Sequence, residues 1–98
     1  MTFEKALEYV RDSYPDNLVT SASEYDGKFI FSLRNYKVLI PGDSTGFYVS
    51  VDADGTVSRF DYFKILWSDK GLDMVNTMNK TIRFVDVTEE DLEKTANV

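Results

Sequence analysis

The hydrophobic period of this chain changes at Pro15, and that change constrains the fold more than any single residue does. Before it, Phe3, Ala6, Leu7, Val10 and Tyr14 recur at i, i+3, i+4, i+7 and i+11, the spacing that gathers side chains on one face of an α-helix. Glu4, Lys5, Glu8, Arg11 and Asp12 fall largely opposite. Thr2 has the side chain of an N-cap, and Pro15 biases Tyr14 away from helical backbone, so the spacing predicts a helix over about 2–13. From Leu18 onward the alternation is that of strands.

Segments 18–25 and 28–33 flank Asp26-Gly27, a pair suited to the positive φ values of a tight hairpin turn. Their register stays open. A two-residue loop pairs Tyr25 with Lys28, whereas a three-residue loop pairs Glu24 with Lys28 and Val19 with Leu33, and each leaves a tolerable apolar face. A short strand or edge segment is expected over 36–40, ahead of the loop composition of Pro41-Gly42-Asp43-Ser44-Thr45-Gly46. The next hairpin sets its own register, because directly opposed side chains share a face. Segments 47–52 and 56–62 bracket Ala53-Asp54-Gly55. A three-residue loop pairs Val51 with Val57 and Ser50 with Ser58, while a two-residue loop sets Val51 against Ser58. The longer loop keeps like with like and places Gly55 at the left-handed position such loops require. Phe47, Val49, Val51 and Val57 then face the core, and Tyr48, Ser50, Thr56, Ser58, Phe60 and Tyr62 face the other way.

Segment 60–67 is too apolar for either period to stand out, and a change from strand to buried coil or helix is expected near Lys64. A short helix is predicted over 69–79, with Leu72, Val75 and Met78 along one face and Ser68 or Asp69 as cap; Gly71 weakens it. Segment 81–87 is β-branched and reads as a strand, and Thr88-Glu89-Glu90-Asp91 before Leu92 resembles the capping arrangement of a brief C-terminal helix. No segment repeats and no linker divides the chain, and 98 residues leave no material for a second core. The expectation is a single α+β domain over 1–98, with the N-terminal helix packed on an antiparallel meander of about four or five strands and one or two short C-terminal helices.

The chain contains no His and no Cys. That removes the usual general base of hydrolytic triads, every thiol nucleophile, and the nitrogen and sulfur ligands of ordinary zinc sites. Carboxylate pairs remain available among 17 Asp and Glu, so a small carboxylate-dependent enzyme is the one catalytic alternative. No Gly-rich phosphate loop joins a strand to a helix. Ser50, Asp52, Asp54, Gly55, Val57, Ser58 and Asp61 fall at positions 1, 3, 5, 6, 8, 9 and 12 of a calcium-loop template. Position 1 is Ser and position 12 the short Asp, however, and a loop feeding two helices cannot also close the hairpin above, so the hairpin is preferred. No cofactor, metal or catalytic residue is expected.

A net charge of -6, with 11 scattered basic residues, opposes direct nucleic-acid binding. The opening residues lack a basic region followed by an apolar run, and no stretch approaches the length of a membrane span, so a soluble, cytoplasmic protein without membrane association is expected. Tyr48, Phe60 and Tyr62, with Trp67 close behind, are the candidate partner-binding residues: aromatic rings on the non-core face of a hairpin suit a protein interface unless a helix covers them. The expected partner is another protein, or a second copy of the chain.

The order helix, hairpin, long loop, hairpin, together with Tyr48-Val49-Ser50-Val51-Asp52-Ala53-Asp54-Gly55-Thr56-Val57, resembles the small cystatin-type α+β modules known as PepSY-like domains. The opening amphipathic helix and the Tyr25-Asp26-Gly27-Lys28-Phe29 hairpin are also similar to short uncharacterised proteins of Gram-positive bacteria and their phages. The likeness covers about the first 65 residues, and 63–98 has no counterpart in it. It implies a curved antiparallel sheet around a helix and a protein-binding or inhibitory role, and the expected setting is that of a phage- or prophage-borne factor or a host accessory factor. An acidic inhibitor that mimics nucleic acid before a basic protein is the alternative binding role.

Overall fold

A computed structural model describes residues 1–35 and 46–86 of the chain. The N-terminal helix α1, Phe3–Ser13, begins where the Lys5 amide donates to the Thr2 hydroxyl at 3.2 Å and stops at Tyr14, ahead of Pro15. Ala6 and Val10 on its apolar face are fully buried. Five strands follow in an antiparallel sheet: β1 Asn17–Tyr25, β2 Lys28–Asn35, β3 Phe47–Val51, β4 Val57–Phe60 and β5 Arg83–Phe84, in the order β4-β3-β2-β1-β5. Helices α2, Tyr62–Leu66, and α3, Gly71–Thr81, lie between β4 and β5 in sequence. The architecture is the α+β arrangement the sequence predicts.

Both registers weighed for the first hairpin occur in it. Asp26 and Gly27 have φ values of 55° and 74°, so the turn has two residues and Tyr25 stands opposite Lys28. A bulge at Thr20 then shifts the ladder, and Val19 stands opposite Leu33. The cause is parity: Val19 and Ala22 both belong to the core, and an odd and an even position share a face only if one extra residue lies between them. The Thr20 hydroxyl donates to the Ser32 carbonyl at 3.0 Å. The residues after β5 complete the bulge, with the Val85 amide donating to the Thr20 carbonyl (3.2 Å) and the Asp86 amide to that of Val19 (2.8 Å). Asp86 also accepts the Val19 amide at 2.9 Å and the Arg11 guanidinium at 2.6 Å, which ties α1, β1 and the C-terminal side of β5 together.

The second hairpin has the three-residue loop. Val51 pairs with Val57 and Ser50 with Ser58, and Gly55 takes a φ of 90°. The Gly55 amide donates to the Asp52 carbonyl (2.9 Å) and the Thr56 amide to the Asp54 carboxylate (3.0 Å). The segment that matched a calcium-loop spacing is therefore a strand–turn–strand.

The sheet is covered on both faces. Against α1 lie Val19, Ala22, Phe31, Leu33, Val49 and Val51, fully buried with Ala6 and Val10. Against α3 the buried set is small, Ile30, Met74 and Met78, with Tyr25, Tyr48, Phe60, Tyr62, Ile65, Leu66 and Val75 partly buried around it. At about 25 cal/mol per Å² of apolar area, the α1 face supplies the larger share of the stabilisation.

The second half departs from expectation in several places. The change from strand to helix falls at Asp61, whose carboxylate caps α2 by accepting the Lys64 amide at 3.0 Å, so Tyr62 is helical. Helix α3 begins at Gly71 without a side-chain cap at Lys70, instead of at Ser68 or Asp69. Its inner face is Gly71, Met74 and Met78, and Leu72 points outward. The reason is a close approach. A Cβ on Gly71 would fall into the Leu66 carbonyl group, 2.7 Å from its carbon, so the α2–α3 corner seats this glycine inward and turns its neighbour to the surface. The strand expected over 81–87 shortens to β5. Segments 36–40 and 88–92, read as an edge segment and a brief helix, lie outside the described residues. Among those described, no helix is long and apolar enough to cross a membrane.

Candidate functional site

Helix α2 is one turn and a half, and its outer side carries rings. Phe63 and Trp67, four apart and linked by the Trp67 amide donating to the Phe63 carbonyl at 3.1 Å, stand on one side of it. Phe63 is 64% exposed, Trp67 85% and, just past the corner, Leu72 75%. These values set the three apart from the other large apolar side chains, and polar residues Lys64, Ser68, Asp69, Lys70 and Asp73 stand exposed among them. An apolar centre with a polar rim is the anatomy of a protein interface.

The exposed rings continue inward. Phe63 meets Tyr62 edge-on, with centroids 5.6 Å apart, and Tyr62 stacks on Tyr48 at 4.6 Å and 14°. Beside them a groove of about 340 Å³ opens at the ends of β3 and β4, lined by Phe47, Tyr48, Arg59, Phe60, Tyr62 and Phe63. The Arg59 guanidinium lies 4.0 Å from the centre of the Phe47 ring, within cation–π range. Burial pushes the Tyr48 phenol above its ordinary range, the neighbouring Tyr62 phenol adds to the rise, and a hydrogen bond with Ser32 partly offsets it. Tyr48 is thus neutral at physiological pH.

The four aromatic residues singled out from the sequence divide. Tyr48, Phe60 and Tyr62 lie on one face of the hairpin region, half-buried around Ile30, Met74 and Met78, while Trp67 stands in solvent on the far side of α2. Phe63 joins the two groups and Leu72 extends the outer one; sequence reasoning missed both. For Phe63 a signal exists: with Asp61 taken as an N-cap, Phe63 and Trp67 fall at i and i+4. Leu72 has none, because its outward turn follows from the Gly71 contact.

Two acidic features complete the surface. Glu4, Glu8 and Asp12 are exposed at successive i+4 positions along α1, about 6 Å apart along the helix axis. Asp54, at the tip of the second hairpin, has its carboxyl held below the usual range by hydrogen bonds from Thr56. Among the described residues no group of three or more acidic side chains is placed to hold a metal ion. No protein-family model, curated protein or solved structure significantly matches this chain.

Proposed function

We propose that this protein is a non-catalytic protein-binding or inhibitory module that engages its target through the α2–α3 corner, with Phe63 and Trp67 as anchors and the Tyr48–Tyr62 groove beside them. The observation that carries this reading is the exposure of Phe63, Trp67 and Leu72 together at one corner. Aromatic side chains bury about 150–250 Å² each, and truncating such an anchor at an interface typically costs 2 kcal/mol or more, about thirtyfold in affinity. Capture from host extract with the natural chain, a Trp67→Ala chain and a Phe63→Ala chain in parallel tests it. The expected result is a retained protein that both substitutions release while the circular dichroism spectrum is unchanged. Equal retention by all three chains, or turnover of a substrate by the purified chain, refutes it.

The exposed row Glu4, Glu8 and Asp12 favours the second reading, an acidic mimic that occupies a nucleic-acid-binding surface of a basic protein. Its mark is a target that α1 charge reversals release, that DNA displaces, and that Trp67→Ala leaves bound.

A further inference from the structure

Beneath α3 the sheet presents hydroxyls where a covered face ordinarily presents methyls. On β1 and β2 the alternation brings Ser21, Ser23, Ile30 and Ser32 to this side, with Ser21 opposite Ser32 and Ser23 opposite Ile30. Tyr48 continues the Ser21–Ser32 row across β3. Between this surface and α3 is a cavity of about 80 Å³, whose polar wall is Ser21, Ser23, Ser32, Tyr48, Tyr62 and Asn79. Val75, Met78 and Ile82 border it on the α3 side, with Ile30 in the floor, and it is partly open to solvent, Asn79 and Ile82 both being exposed. Ser23 is 95% buried in the chain, and its hydroxyl makes no hydrogen bond to any described residue. Its oxygen nevertheless keeps some accessible surface, since among the described residues the buried side-chain oxygen without a partner is Asp52 Oδ1, so a water in the pocket can reach it.

We propose that this pocket is an ordered hydration site, holding two or three waters that bridge the hydroxyls of Ser21, Ser23 and Ser32 to the Asn79 amide and the phenol pair. The volume decides the number, since one water occupies about 30 Å³ in the liquid. The wall decides the ligand. A buried water needs about three hydrogen bonds, and this wall offers hydroxyl, phenol and amide groups, each able to donate and accept, but no charged side chain. Such a site suits a neutral polar molecule of water's size and disfavours an ion, whose charge nothing here would match. The waters also account for how α3 stays seated over a sheet face that gives it only Ile30 as a fully buried apolar partner.

A crystal structure of the whole chain at a resolution that shows waters, together with one of Ser23→Ala, tests the site. The expected result is two or three waters in the natural chain, each within hydrogen-bonding distance of two or more of the six polar side chains. In Ser23→Ala at least one of them is lost, with α3 in place. Water-to-protein cross-relaxation in solution gives the same reading independently, as long-lived contacts to the β-protons of Ser21, Ser23 and Ser32. A cavity free of water density, waters that touch none of these hydroxyls, or a Ser23→Ala chain that keeps every one of them overturns the proposal.

Discussion

Replacing Gly71 with alanine separates two views of this residue that make opposite predictions. In a helix interior glycine is worse than alanine by about 1 kcal/mol, so propensity alone, granted in full at this first position of α3, makes Gly71→Ala stabilising. In the fold, the added methyl would lie 2.7 Å from the carbonyl carbon of Leu66 and 3.0 Å from its Cα, and nearer still to its oxygen. The obstacle is backbone, which cannot swing aside as the end of a side chain can. Overpacking of this kind costs about 1–3 kcal/mol and sometimes more, and an obstacle of main chain belongs at or above the upper end of that range. Set against the propensity gain, the net loss is about 2 kcal/mol. For a domain of this size each kcal/mol moves the melting temperature by about 4–8 °C, so the expected fall is about 8–16 °C. Thermal melts followed by circular dichroism, with urea titrations at 25 °C, measure it. Leu72→Ala is the control: it removes an exposed side chain from the same turn, and changes of that kind stay within about 0.5 kcal/mol. A Gly71→Ala chain as stable as the natural one, or more so, refutes the close approach at the α2–α3 corner and the outward turn of Leu72 with it.

Asp86→Ala takes away the acceptor of the partly buried Val19 amide and the Arg11 ion pair together. The loss should be about 2 kcal/mol in urea unfolding, most of it from the stranded amide, while Asp86→Asn, which keeps an acceptor, should lose less than half of that; equal losses contradict the assignment. Because Tyr48 titrates above its ordinary range in the fold, its neutral form is the one the native state favours. Its contribution is fully present below the unfolded phenol's value near 10.0 and disappears as pH rises through the raised native value. Stability of the natural chain should therefore fall more steeply between neutral and strongly alkaline pH than that of Tyr48→Phe; parallel declines argue against a buried phenol.

The parts of the fold visible in the sequence are those whose causes are local. Helix α1 has its period, its Thr2 cap and its Pro15 stop in consecutive residues, and the second hairpin has Gly55 between strands whose parity admits one pairing. The first hairpin left two registers open because its local turn and its distant core demand different ones, and only the bulge at Thr20 satisfies both. Helix α2 was hidden by composition: Tyr62, Phe63, Ile65 and Leu66 are apolar all round, so no periodic stripe marks them. Helix α3 was expected to turn Leu72 inward, because the Gly71–Leu66 contact joins two elements and belongs to neither alone. The same division runs through the candidate site. Alternation placed Tyr48 and Phe60 on a shared face, but how far each ring is covered depends on where α3 packs.

The bulge at Thr20 has a consequence for how the chain tolerates a change in length. Ser21 and Val19 stand opposite Ser32 and Leu33, consecutive residues of β2. Loss of the codon for residue 20 would leave an unbroken ladder in which every remaining side chain of β1 keeps its neighbour and its side of the sheet. What such a deletion removes is the carbonyl that receives the Val85 amide and the hydroxyl that reaches Ser32. The surplus residue thus serves the mooring of the last strand, and a shortened descendant would keep its centre while its C-terminal margin came loose.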